Sequence, residues 1–487
     1  MRRRDLSKVL LAWTAAAPVA GAKTNTNCAR PCYPPTPAET LDRVLPSDLS
    51  YPPGNVLRWG ADPTGAADST QALQRAVDAA WASGFYGSPW SGKGGAAPVL
   101  LFPPGRYRVT DTITVPTGVT LRGAGHPANT TSHTRIIMDS PGEADNRDKP
   151  MFRFSRTTRD DTALMNTAIT CAIENLEFWF VTMGGTFDRP MGAGIPFGKY
   201  PHGGILMFDV DADDTRIVNC VFQHSPAAVR ITDVGSQEAR RGDGRKGNRG
   251  VGLFLENCEF DASCAHVYAT ASELDLQFKG CQFFGGMHRY ENCTGKIVYQ
   301  GGRWHGDAYI DAGNANALGK FELGGADVEL GAHVFLTLNK AALLNVSHNS
   351  VFGGVSAASW LEVTDAEGGC ITANAVDSSG CNAASGTGPA DFTAVIRLLG
   401  CRRLLVSSNN ITAMHAGEYR GFGILSGDSA RPAGHNFVNG NAVSAPYEGP
   451  VYEGQGRYIN LRDADVAGQN YCYDSRSHHG SPRSDPL

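Results

Sequence analysis

Short apolar runs punctuated by glycine and asparagine dominate the chain from about residue 97 onward. Val99-Leu100-Leu101-Phe102 is a continuous apolar run of buried-strand length, and Pro103-Pro104-Gly105 closes it as a turn. Tyr107-Arg108-Val109, Ile113-Thr114-Val115 and Val119-Thr120-Leu121 then alternate apolar and polar positions, the period of a half-buried strand. Before them the period is different. Leu73, Val77 and Trp81 recur at i, i+4 and i+8, which predicts one helix over 70–82. Asp68 followed by Gln71 is a capping-box-like start, and the glycine-rich stretch 84–95 ends the helix.

The apolar pattern repeats. Asn219-Cys220-Val221-Phe222, Asn257-Cys258-Glu259-Phe260, Gly280-Cys281-Gln282-Phe283 and Gly301-Gly302-Arg303-Trp304 superimpose on their aromatic. Phe260 to Phe283 is 23 residues and Phe283 to Trp304 is 21. Phe222 to Phe260 is 38, but the 16-residue stretch 235–250 interrupts it and leaves 22. Phe178 to Phe222 is 44, two rungs or one rung with a loop. Asn349, Asn374, Asn410 and Asn441 mark later turns. A period near 22 with three short strands per repeat predicts an all-β, right-handed parallel β-helix, a single-stranded solenoid with the 70–82 helix capping its N-terminal end. Roughly ten rungs at about 4.8 Å would give a rod of about 45–50 Å. Asn side chains can ladder from coil to coil. Cys220, Cys258 and Cys281 read as a stacked core ladder, because a free cysteine behaves as a small apolar group.

Composition narrows the class. Of 487 residues 41% are hydrophobic and 19% charged, so the chain is neither disordered nor membrane-embedded. There is no run of 18 apolar residues, hence no expected membrane span. The 58 glycines fit many tight turns. A net charge of -5 argues against a nucleic-acid partner. Arg2-Arg3-Arg4, an apolar run from Val9 to Ala17 and Ala20-Gly21-Ala22 have the order of a secretory signal peptide, and Arg3-Arg4-x-Leu6-x-Lys8 resembles a bacterial twin-arginine signal. Residues 1–22 are therefore expected to be a signal that exports the protein to the periplasm or outside the cell. A Pro-rich arm or linker (23–54), a β-helix domain (55–475) and a flexible tail (476–487) follow. Twelve cysteines in an exported chain allow disulfides. Cys28 with Cys32, and Cys370 with Cys381, lie in loop-like sequence and are the candidates.

Arg58-Trp59-Gly60-Ala61-Asp62-Pro63-Thr64-Gly65, then Asp68-Ser69-Thr70, the helix, Phe102-Pro103-Pro104-Gly105-Arg106-Tyr107 and Val119-Thr120-Leu121-Arg122-Gly123 form one series. Over about 57–126 it resembles the entry segment of the pectate-lyase-like, rhamnogalacturonase/epimerase-like β-helix superfamily. The resemblance implies a helix plugging the first coil and activity on a polysaccharide. That family includes lyases, hydrolases, epimerases and phage tailspikes, so the reaction stays open. The Asn-Thr-Asp, Asp-Asp and Gly-His-Gly set of polygalacturonases is absent, as is the Asp-Pro-His-Asp of alginate epimerases.

Stacking the rungs on their aromatics collects a candidate site. Strand alternation puts Arg230, His266, Tyr268, His288, Tyr290, Asp307, Tyr309 and Asp311 on one outer face. A register slip of one residue would turn any of them inward. Elimination from a uronic acid needs a cation on the carboxylate, a base for the C5 proton and an acid for the leaving oxygen. Arg230, His266 and Tyr268 supply these types, with His288 and Asp307 beside them as further catalytic candidates. Tyr290, Tyr309 and Asp311 are candidate substrate contacts. Loop 235–250 carries Arg240, Arg241, Arg245, Lys246 and Arg249, and points to an anionic polysaccharide. The 179–204 insertion carries Trp179, Phe187 and Tyr200, which can stack on sugars or pack on the rod. The expected function is thus β-eliminative cleavage of an acidic polysaccharide. The alternatives are a glycoside hydrolase, for which Asp209, Asp211, Asp213 and Asp214 offer carboxylates, and a non-catalytic polysaccharide-binding β-helix. No cofactor is expected. Calcium at 209–214 is open, but no specific loop pattern supports it.

Overall fold

The computed structural model describes residues 32–41, 45–87, 98–116, 118–125, 133–139, 148–154, 171–181, 187–189, 200, 202–209, 212–232, 251–261, 263–331, 333–353, 359–377, 393–412, 421–427, 431, 433–444, 459–461 and 465–473. Strands run from Val99–Phe102 to Tyr471–Tyr473, and each pairs in parallel with the third strand after it. Three sheets result, of 13, 13 and 12 strands, beginning with Val99–Phe102, Gly105–Val109 and Ile113–Val115. The coil is a right-handed parallel β-helix of about 60 Å, longer than the ten rungs expected. The first two rungs, up to Pro150–Phe154, lack the Asn/Gly-Cys step and lie outside that alignment.

The repeat motif has a backbone cause. The step before each cysteine turns the chain from the first sheet to the second in the left-handed region, with φ of 53° at Asn219, 53° at Asn257 and 63° at Gly280. Asparagine and glycine tolerate that region better than other residues. The aromatic that follows points inward. Phe178, Phe222, Phe260, Phe283 and Trp304 stack rung on rung with centroid separations of 5.4, 4.9, 5.2 and 4.2 Å. The rung pairing puts Phe222 opposite Phe260 and Phe260 opposite Phe283, as the sequence alignment has it.

Beside this stack Cys220, Cys258 and Cys281 are buried as free thiols in successive rungs. Further along, the same turn column holds Asn349, Asn374, Asn409, Asn441 and Asn470. Each Nδ2 donates to the next Oδ1, at 2.9, 2.8, 2.9 and 3.0 Å. The ladder uses Asn409, not the Asn410 that the sequence marked. Asn410 opens the next strand and is exposed. Cys28 and Cys381 lie outside the described residues, so neither expected disulfide can be placed, and Cys32 and Cys370 are free thiols.

The helix spans Thr70–Gly87 and closes the first coil, with Leu73, Val77 and Trp81 buried against the core. Asp68 caps it by accepting from the Thr70 amide at 3.0 Å. The N-terminal edge of each of the three sheets is met by a hydrogen bond from the preceding segment, as an otherwise exposed edge requires. The Leu101 amide donates to Gly54 O at 2.7 Å, and the Ser69 amide donates to Arg108 O at 2.8 Å. Gln74 meets the third edge with its side chain, accepting from Thr114 N at 2.8 Å and donating to Thr114 O at 3.1 Å. The Pro-rich lead differs from the linker expected of it. Arg58, fully buried, pairs with Glu39 through Nε and Nη2, each at 2.9 Å, and donates to the carbonyls of Tyr33, Pro34 and Tyr51. This part of the arm is bolted to the cap. Residues 1–31, with the expected signal, and 474–487 lie outside the described residues. No helix among the described residues is long and apolar enough to cross a membrane.

Candidate functional site

Four consecutive strands of the third sheet, Ala227–Thr232, Ala265–Thr270, Met287–Glu291 and Tyr309–Asn314, form the face that the sequence selects. Their register stacks Arg230 on Tyr268, Tyr268 on Arg289 and Arg289 on Asp311. Alternation then turns these four side chains outward, with Thr270 and Glu291 as a second outward pair.

The polar side chains interlock. Arg230 is almost covered. Its guanidinium donates to Gly203 O at 3.1 Å and Tyr200 O at 3.2 Å, and lies 5.0 Å from the Tyr268 ring centre. The Tyr268 hydroxyl donates to Glu291 Oε2 at 3.0 Å. Arg289 Nε reaches Glu291 Oε1 at 2.6 Å, and its other arm faces Asp311 Oδ2 at 3.6 Å. Asp311 also accepts from the Gly313 amide at 3.1 Å. Burial opposes charge on Arg289, but Glu291 and Asp311 outweigh it and raise its pKa. Burial and the Glu291 carboxylate push the Tyr268 pKa up; burial and Asp311 do the same to Tyr309. Tyr309 rests on Met287 through its hydroxyl at 3.4 Å, and its ring lies 4.5 Å from the exposed His333 ring, tilted by 37°. Two carboxylates, one guanidinium between them, a phenol and an aromatic shelf thus meet on a partly open strand face.

Three expected members are not there. His266, His288 and Tyr290 are fully buried inside the coil. A bulge explains His266. The pairing of Ala265–Thr270 with Met287–Glu291 slips between Ala265 and Val267, so His266 and Val267 both turn inward before Tyr268 resumes alternation. His288 and Tyr290 do share one side, but it is the inner one, a register offset of one. Inside, the Tyr299 hydroxyl meets His288 Nδ1 at 2.8 Å and the Tyr290 hydroxyl at 2.6 Å. Neither nitrogen of His266 makes a hydrogen bond of good geometry. Burial pushes its pKa down to about 3, only partly offset by the backbone of Phe284, and drives that of His288 well down too. Neither imidazole can reach a substrate.

The register offset of one hid Arg289 and Glu291 from the sequence reading, and His333 precedes Leu336–Asn339, a strand beyond the four aligned rungs. Asp307 sits exposed in the turn before Tyr309–Asn314, at φ 67°, beside the strand face rather than on it. Arg240, Arg241 and Arg245 lie outside the described residues, as does the rest of loop 235–250. In the 179–204 insertion Trp179 packs under Arg135 at 4.7 Å and Phe187 under Arg106 at 4.5 Å. Asp209 is ion-paired to Arg153, and Asp211 lies outside the described residues. Among the described residues no group of three or more His, Cys, Asp or Glu converges as a metal site.

Residues 54–147 match the family model described as rhamnogalacturonase A/epimerase, pectate lyase-like. The chain folds as a parallel β-helix whose entry segment matches that model. Among solved structures, a DFA-IIIase from Arthrobacter chlorophenolicus A6 in complex with GF2 is 13% identical over 85% of this chain and 97% of its own, with a TM-score of 0.51. A cysteine-to-alanine mutant of that enzyme in complex with DFA-III is 11% identical over the same shares, with a TM-score of 0.50. The A-module of the Azotobacter vinelandii mannuronan C-5 epimerase AlgE6 is 14% identical over 86% of this chain and 93% of its own, with a TM-score of 0.40. No curated protein matches in sequence. At these identities the likeness is one of fold.

Proposed function

We propose that this β-helix is a carbohydrate-active enzyme that cleaves glycosidic bonds by hydrolysis on the outer face of its third sheet. The observation that carries the reading is the pair of carboxylates, Glu291 and Asp311, facing one Arg289 on neighbouring rungs. Glycoside hydrolysis needs two carboxyl groups across the scissile bond. Glu291 holds the shorter contact to Arg289 and a phenol donor, Tyr268, which orient it as the base or nucleophile. Asp311 faces Arg289 at longer range and is the candidate acid. Tyr309 and His333 offer a shelf for a sugar ring. The fold neighbour of TM-score 0.51, a DFA-IIIase in complex with GF2, supports a carbohydrate-acting β-helix.

β-Elimination of an acidic polymer is the second reading, favoured by the basic loop 235–250. It needs a base, and the two histidines first cast for that role are buried. The raised pKa of Tyr268 suits an acid better than a phenolate base. Export, expected from residues 1–22, fits an enzyme that meets polymers outside the cell. The deciding experiment is incubation with a panel of neutral and acidic polysaccharides and mass analysis of the products. Saturated products carrying one added water support hydrolysis. Unsaturated products of unchanged total mass replace it with elimination.

A further inference from the structure

The candidate site occupies the third sheet of four coils. The first sheet of those coils, strands Ala212–Val218, Val251–Glu256, Glu273–Lys279 and Thr294–Gln300, carries a second concavity on another side of the rod. Two outward rows bound it. One runs Arg216, Phe254, Gln277 and the other Val218, Glu256, Lys279, Gln300, fixed by the strand register. The cavity between them is about 140 Å³, room for about five waters at roughly 30 Å³ each and so for much of one sugar ring.

Its chemistry is mixed in a particular way. Phe254 is a half-buried aromatic on an outer strand face. Around it stand a guanidinium, a carboxylate, an ammonium and two amides. Glu256 and Lys279 pair at 2.9 Å, and Gln277 is oriented by Asp275 at 3.2 Å. A flat aromatic surface accepts the C–H face of a sugar, and flanking planar polar groups bond its vicinal hydroxyls. A purely apolar ligand would leave those polar groups unpaired, and a simple ion would not use the ring.

We propose that this groove is a second glycan-binding site, for one or two sugar units of the polysaccharide acted on at the third sheet. The inference rests on the carbohydrate reading above. Because the two sites lie on different faces at the same height, one short glycan cannot fill both. The groove would grip a second strand, or a distant part of a long one, and hold the polymer by bivalency.

The test uses the full chain in its Glu291→Gln form, whose lowered turnover lets binding be read. Maltohexaose, cellohexaose, hexagalacturonate and the polymer found to be the substrate are titrated calorimetrically. Phe254→Ala and Gln277→Ala should each weaken binding of the polymer about tenfold, the size of one lost stacking or hydrogen-bonding contact. Both substitutions lie on the outer face, and a thermal melt confirms that each variant is folded. If Tyr309→Ala abolishes binding while Phe254→Ala and Gln277→Ala leave the polymer affinity unchanged, the groove proposal is overturned and the active-site reading stands. If no probe binds the parent at all, both fall together.

Discussion

The Tyr268 hydroxyl donates to Glu291 Oε2 at 3.0 Å across one rung of the coil. A phenol on one strand thereby orients a carboxylate on the next, and Arg289 holds the same carboxylate from its other side. Sequence distance between the pair is 23 residues; the rung brings them into contact.

This geometry predicts unequal losses of turnover. Glu291→Gln and Asp311→Asn should each lower kcat by roughly 10²–10⁴-fold, as expected for a lost proton-transfer or nucleophilic group. Tyr268→Phe removes only an orienting bond and should cost less, with KM little changed. A reducing-end assay on purified variants measures this. Full activity in both carboxylate variants would remove the site.

The buried histidines predict an acid-sensitive fold. Their folded pKa values are depressed, to about 3 for His266, against about 6.5 in the unfolded chain. The stability they permit is therefore complete above about pH 6.5 and lost as pH falls toward their folded values. Each takes away about 1.4 kcal/mol per pH unit in that window. Melting temperature should drop steadily from about pH 6.5 to about pH 4. In His266→Leu the drop should be shallower; an identical slope would show that His266 does not titrate on unfolding.

The asparagine ladder predicts a stability cost far from any chemistry. Asn374 donates to Asn409 Oδ1 at 2.8 Å and to Val346 O at 3.0 Å, and accepts from Asn349. Asn374→Ala strands several buried polar groups, each worth about 1–3 kcal/mol. A loss of about 3 kcal/mol or more in a urea titration is expected, whereas Asn410→Ala, one residue from the ladder, should cost well under 1 kcal/mol.

Thiol chemistry should follow burial. Burial pushes the pKa of Cys258 and Cys281 well up and leaves Cys220 no exposed surface. These three should react with a thiol reagent only on denaturation. Fast labelling of all three in the native protein would contradict the stacked arrangement.

How much of this was legible in the chain depends on how local the cause is. The Asn/Gly-Cys-x-aromatic step carries its own backbone requirement, a left-handed turn, and its own burial requirement, an apolar ring. Three copies, with the related Gly301-Gly302-Arg303-Trp304, were enough to define the rungs, the aromatic stack and the thiol ladder. The capping helix was legible for the same reason, since Leu73, Val77 and Trp81 state their own face. The neighbourhood of the site was legible too, because Arg230, Tyr268, Tyr309 and Asp311 follow from counting along each rung. Only the tertiary structure decided which way His266, His288 and Tyr290 point. A bulge turns one residue such as His266 to the other side, and a register offset of one does the same to a whole strand, without any change of composition. The partners of Arg289 and the docking of the Pro-rich arm on Arg58 were equally hidden, because contacts between residues distant in sequence exist only once the coil has closed.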